Sequence, residues 1–162
     1  MKYIKTYETK LSQEYKDREL LKFSKNKASL QQVRKWISVG ANVNYSSPTL
    51  NTPLHIAAAN GFDSAIKLLI NAGANVNAQN SFGETPLMHV VSNLWRFNKR
   101  KKTQDLIKFM IEKGADLSIK NNFNRDIFDI NKEVNFYEFI MKNFPNEYQN
   151  YLIKKDAEKY NL

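Results

Sequence analysis

The pentapeptide Gly-Ala-Asn-Val-Asn occurs twice, at Gly40–Asn44 and Gly73–Asn77, and an altered third copy, Gly-Ala-Asp-Leu-Ser, spans Gly114–Ser118. The three glycines are separated by 33 and then 41 residues. A second motif keeps the first step: Asn51-Thr52-Pro53-Leu54-His55 returns 33 residues later as Glu84-Thr85-Pro86-Leu87-Met88. Between the motifs, Val33, Trp36 and Ile37 recur as Ile66, Leu69 and Ile70. Two independent motifs on one period define a repeat. A unit of this length cannot bury its own apolar face, so the chain is expected to stack several of them into a continuous core.

Each unit has a physical reading. Pro53 and Pro86 belong in the first turn of a helix, where the missing amide hydrogen costs nothing, and Thr52 and Thr85 are placed to cap it. The stretch Leu54-His55-Ile56-Ala57-Ala58-Ala59 then forms a short helix whose small side chains permit close packing, and Gly61 breaks it. A second helix is predicted over Asp63–Asn71, ended by Gly73 at positive φ. Polar residues Asn75 to Glu84 turn the chain back as a projecting loop or hairpin.

The stretch TPLHIAAANGFDSAIKLLINAGANVNAQNSFGETPL, Thr52 to Leu87, resembles the ankyrin repeat proteins over a whole repeat. The resemblance implies an all-α solenoid of about four stacked helix-turn-helix units with β-hairpin-like fingers. It also implies binding of partner proteins by the finger tips and the exposed face of the first helices. The structural motif residues carried by the resemblance are Thr52, Pro53, Leu54, His55, Gly73, Thr85, Pro86, Leu87 and Gly114, with His55 expected to tie neighbouring loops together. Met88 stands where His55 does, which predicts a weaker loop network between the second and third units.

The pattern fades at both ends, as expected of terminal repeats that face solvent on one side. The whole chain, 1–162, reads as one domain: an N-terminal lid over 1–18, a degenerate first repeat over 19–46, a second repeat over 47–79, a third over 80–120, and a degenerate closing repeat with a C-terminal cap helix over 121–162. In the first repeat, ELLKFSKNK stands as the opening helix and Leu30 to Val39 as the second. In the last, Asp126-Ile127-Phe128 stands where Thr-Pro-Leu would begin.

The third unit carries eight extra residues within 93–103, NLWRFNKRKKT. Leu94 occupies the place of Gly61, so the first helix is expected to run on. Two readings stand. One is an elongated helix pair with solvated lysines. The other is a basic aromatic patch for nucleic acid or an anionic membrane, made of Trp95, Arg96, Phe97, Lys99, Arg100, Lys101 and Lys102. Net charge is distributed as +6 over 1–50, −1 over 51–90, +5 over 91–120 and −1 over 121–162, which concentrates the positive field in two segments.

The competing surface is the row of finger tips. Tyr45, Thr49 and Asn51 belong to the first, Gln79, Phe82 and Glu84 to the second, and Phe123 and Arg125 to the third. Asn60 and Asn93 continue it along the ends of the first helices. Phe82 and Phe123 occupy equivalent places, and aromatic rings on exposed tips are candidate hot spots for a protein partner. This face is mostly neutral, which favours a protein over a phosphate backbone.

Composition narrows the remaining chemistry. The chain carries 25 basic and 16 acidic residues for a net +9, but lysine outnumbers arginine 20 to 5, a surface poorly suited to bidentate base or phosphate recognition. Without cysteine there is no disulfide and no thiolate chemistry. The two histidines, His55 and His89, have no metal-ligand spacing, and no glycine-rich phosphate loop is present. The expectation is a protein with no catalytic residue, no metal and no cofactor, taking no small-molecule substrate and monomeric until it meets a partner protein. Possible roles are bacterial effector, inhibitor or adaptor. The N-terminus lacks a cleaved leader's apolar run, which predicts a cytoplasmic location, or export without a cleaved signal peptide.

Overall fold

A computed structural model describes residues 12–25, 29–97, 100–132 and 134–160, with side chains at all of these except 93–97, 100 and 134. The chain divides into two compact units, Met1–Asn75 and Val76–Leu162.

The first unit holds α1 (Gln13–Phe23), α2 (Leu30–Ser38), α3 (Pro53–Ala59) and α4 (Asp63–Asn71). Consecutive helices pair, α1 with α2 and α3 with α4, and the pairs pack α1 on α3 and α2 on α4. The contact is close because Ala57 and Ala58 of α3 are fully buried, against a core that includes Leu20, Val33, Leu54, Ile66 and Leu69. Helix α3 begins as its sequence dictates: Pro53 opens the first turn, the Thr52 hydroxyl accepts the His55 N–H, and the Thr52 N–H donates to His55 Nδ1 at 3.2 Å. This reciprocal box satisfies donors that a helix start leaves without partners. Helix α4 is stopped by Gly73, two residues past its end, whose φ of +91° is the left-handed turn that glycine adopts without strain.

The opening helix differs from the sequence expectation. It starts at Gln13 rather than Glu19, so residues 13–18, assigned above to a lid, are its first turns; residues 1–11 lie outside the described residues. It stops at Phe23, where the buried Ser24 hydroxyl donates to the Leu20 carbonyl at 2.8 Å. Helix α2 ends at Ser38, with Val39 as its cap.

The earlier start matters because it completes a polar ladder. Asn44 donates its side-chain amide to the Gly73 carbonyl at 3.2 Å and accepts the Asn75 N–H at 2.7 Å. One repeat earlier, α1 supplies both halves of this pair from two residues. Gln13 donates to the Gly40 carbonyl at 2.9 Å, and Asp17 accepts the Asn42 N–H at 2.6 Å. Two side chains of α1 thus do for the Gly40–Asn42 segment what Asn44 does for the Gly73–Asn75 segment.

The second unit holds α5 (Pro86–Phe97), α6 (Arg100–Glu112), α7 (Ile127–Ile130), α8 (Val134–Asn143) and α9 (Pro145–Tyr160). Asn77 repeats the ladder pattern, donating to the Gly114 carbonyl at 2.8 Å and accepting the Asp116 N–H at 2.9 Å. Helix α5 has 12 residues where α3 has 7, and α6 has 13 where α4 has 9. The extra residues of the third unit thus lengthen both of its helices.

The closing repeat keeps the helix start while changing its chemistry. Asp126 accepts the Phe128 and Asp129 N–H groups, and its own N–H donates to the Asp129 carboxylate at 3.3 Å. Helix α9 covers this turn. The Tyr151 hydroxyl donates to the fully buried Asp126 at 3.1 Å, with Lys155 Nζ 3.8 Å from the same oxygen. Burial, then the Asp126 charge, pushes the Tyr151 hydroxyl well above the ordinary phenol range. Phe128 is ringed by Phe136, Tyr137, Tyr148 and Tyr151, with centroid separations of 5.7, 5.0, 5.7 and 4.4 Å. Lys154 donates to Asp116 and Ser118, both at 2.9 Å, and Lys120 pairs with Glu158. Those bonds fasten α9 to the third copy of the repeat motif and to Lys120 just after it.

Candidate interaction surface

The fingers are built as three versions of one turn, and none of the described residues forms a β-strand. The Ser47 N–H donates to the Asn51 carbonyl and the Leu50 N–H to the Ser47 carbonyl; Asn80, Glu84 and Gly83 repeat the pair, as do Asn121, Arg125 and Asn124. Of the loop or hairpin expected from the sequence, each finger is a compact loop braced by the first residue's side chain. Asn80 Oδ1 accepts the Phe82 and Glu84 N–H groups at 2.9 and 3.0 Å. Asn121 Oδ1 accepts those of Phe123 and Arg125 at 3.0 and 3.1 Å. The fourth residue of each turn has positive φ: 57° at Leu50, 71° at Gly83 and 58° at Asn124.

In the first unit, the first finger holds Tyr45 and Asn51 half-buried and Thr49 exposed. Asn51 donates to Thr49 Oγ1 at 3.0 Å, and Thr49 Oγ1 lies 2.9 Å from Ser47 Oγ. Leu50 is half exposed at the tip, a place its sequence does not signal, because an aliphatic residue gives no sign of occupying a left-handed turn. Asn60 is exposed and donates to the Ile56 carbonyl at 2.7 Å.

In the second unit, the second and third fingers touch. The Asn122 N–H donates to the Phe82 carbonyl at 2.9 Å and its side-chain amide to the Ser81 carbonyl at 3.0 Å. Gln79 bridges them from below, donating to the Gly83 and Lys120 carbonyls. Phe82 is 53% exposed and Phe123 63%. Arg125 lies over the Phe123 ring, 5.4 Å from its centroid.

Beneath the tips is a groove of about 210 Å³, with Glu84, Met88, His89 and Ser92 on one wall and Asn121, Arg125, Asp129 and Ile130 on the other. This is smaller than the roughly 300–1,000 Å³ of a typical small-molecule site. His89 Nε2 lies 3.6 Å from Glu84. Burial lowers the His89 pKa, with the Glu84 charge opposing that shift. The Ser92 hydroxyl donates to the His89 main-chain carbonyl at 3.0 Å, which is a helix-backbone bond rather than a nucleophile on a base. Met88, in the place of His55, keeps the helix start: its N–H donates to Thr85 Oγ1 and its sulfur accepts the Thr85 N–H at 3.5 Å.

Of the basic segment, Lys101 and Lys102 are exposed; the side chains of Asn93, Trp95, Arg96, Phe97 and Arg100, and all of Lys99, lie outside the described residues. Among the described residues no group of histidine, aspartate and glutamate has the arrangement of a metal site, and no helix is long and apolar enough to cross a membrane.

Three copies of one turn and three starts of one helix, each stepping by 33 and then 41 residues, agree with the comparison to protein families, where the model described as ankyrin repeats in three copies matches residues 20–121. The chain belongs to the ankyrin repeat family. Ankyrin repeats are in general protein–protein interaction modules and non-catalytic. Among its relatives, an ankyrin repeat protein of Rickettsia bellii is 37% identical over 71 residues, 44% of this chain and 27% of that protein. One from Acanthamoeba polyphaga mimivirus is 31% identical over 122 residues, 72% of this chain and 70% of that protein. Mouse protein phosphatase 1 regulatory subunit 12A is 27% identical over 119 residues, 72% of this chain and 11% of that protein. The chain thus spans well under half the length of the Rickettsia bellii and mouse relatives.

Proposed function

We propose that this ankyrin repeat chain is a non-catalytic binding protein that docks a partner protein on its finger tips and the adjoining inner face of its first helices. The observation that carries this reading is the pair Phe82 and Phe123, both more than half exposed on two fingers bonded to each other. Exposed rings on a preorganised support contribute large contact area at modest entropic cost. In this proposal Gln79 and Glu84 belong to the same surface of the second unit, and Tyr45, Thr49, Asn51 and Asn60 are the candidate contacts of the first unit. Relatives from Rickettsia and a virus support an effector or inhibitor acting on a host protein, in the cytoplasm or after export without a cleaved leader.

Affinity capture from lysate of the native organism, and of any host, tests the reading. Wild type is compared with a Phe82→Ala, Phe123→Ala variant and with a Lys101→Gln, Lys102→Gln variant. A partner protein held by wild type and by the lysine variant, and lost by the phenylalanine variant, is the expected result. Loss in the lysine variant alone, with release of nucleic acid or lipid, would move the function to the basic segment.

A further inference from the structure

Resting on the finger-tip reading, we propose that the second unit recognises a partner segment carrying one aspartate or glutamate beside a bulky apolar side chain. The carboxylate sits on Arg125 and the apolar group lies against Phe82 and Phe123.

The cations around this surface divide into two kinds. Lys120, Lys154 and Lys155 each face a carboxylate of the chain itself, on Glu158, Asp116 and Asp126 respectively. Arg125 is exposed, and no carboxylate of the described residues lies within ion-pair distance of it. Its guanidinium lies over the Phe123 ring, an arrangement that limits the side chain's freedom while leaving its in-plane N–H donors for a ligand. A planar fork held in this way suits a carboxylate, which it grips by two parallel bonds. Arginine is also the scarce cation of this chain, 5 against 20 lysines.

Charge limits the ligand to a single acid. Glu84 and Asp129 line the groove beside Arg125 and are less exposed than it, so a second carboxylate reaching inward meets like charge. The phenylalanines supply the apolar half of the recognition. The whole chain's charge of +9 accelerates the approach of an acidic surface.

The test is selection of a phage-displayed library of random peptides on the full chain, followed by affinity measurement of the enriched peptides. Enriched sequences are expected to carry Asp or Glu next to Phe, Leu, Ile or Trp. Their affinity should fall about tenfold or more in Arg125→Gln and in Phe82→Ala, and stay unchanged in Lys101→Gln, Lys102→Gln. Circular dichroism confirms that each variant is folded. Peptides that need Phe82 but are neutral or basic, or that bind Arg125→Gln as tightly, overturn the acidic preference and leave the finger-tip surface standing. A selection with no peptide dependent on Phe82 overturns both.

Discussion

Asn122 and Phe82 are joined main chain to main chain, the Asn122 N–H lying 2.9 Å from the Phe82 carbonyl. Gly83 makes this approach possible. A Cβ there would lie 2.5 Å from Asn122 Oδ1 and 2.8 Å from Asn122 N, at a φ of +71°. Gly83→Ala is therefore expected to cost at least the roughly 1–2 kcal/mol of a left-handed non-glycine residue, and to part the two fingers. Thermal melting checks the first effect and loss of Asn122 amide protection from hydrogen exchange the second.

Asp17 is buried and accepts from both the Asn42 N–H and the Gln13 side chain, at 2.6 and 2.8 Å. Asp17→Ala leaves the Asn42 donor without its partner and should destabilise the first unit by about 1–3 kcal/mol. Denaturant titration measures it. An unchanged midpoint would mean that α1 does not cap the ladder.

Tyr151→Phe removes one hydroxyl, and with it the bond to fully buried Asp126. The expected loss is about 1–3 kcal/mol, read by thermal melting, with α9 showing faster hydrogen exchange than α6.

His89 holds its proton less readily in the folded chain than in the unfolded one, because burial outweighs the pull of Glu84. Below the unfolded value of about 6.5 the unfolded chain takes up a proton first, so this group costs stability as pH falls from there to the lowered folded value. Melting curves between about pH 7.5 and 5 should show wild type losing more stability than His89→Gln. Parallel curves for the two would remove His89 as the cause.

What the sequence revealed and what it hid have separate physical causes. Helix α4 was legible to the residue, Asp63–Asn71, because its apolar spacing and the glycine after it are local signals. The Thr52 cap was legible for the same reason. At Asp126 the helix start was legible from its alignment with Thr-Pro-Leu, but the reciprocal bond was not, since Asp129 stands in the place of His55 and shares no letter with it. The role of α1 was hidden because Gln13 and Asp17 act 27 and 25 residues away and divide between them what a single asparagine does elsewhere. On the candidate surface, Phe82 and Phe123 could be aligned from the motifs. The groove of His89, Glu84 and Asp129 could not, since its two walls meet only when the third and closing repeats fold together.

Partner docking on the fingers can be observed residue by residue. Backbone amide chemical-shift mapping of the labelled full chain, titrated with the captured partner, tests it most directly. Docking on the fingers predicts the largest shifts at Ser81 to Glu84, Asn122 to Arg125 and Met88 to Ser92. Shifts confined to Lys101, Lys102 and the rest of α6 would contradict it.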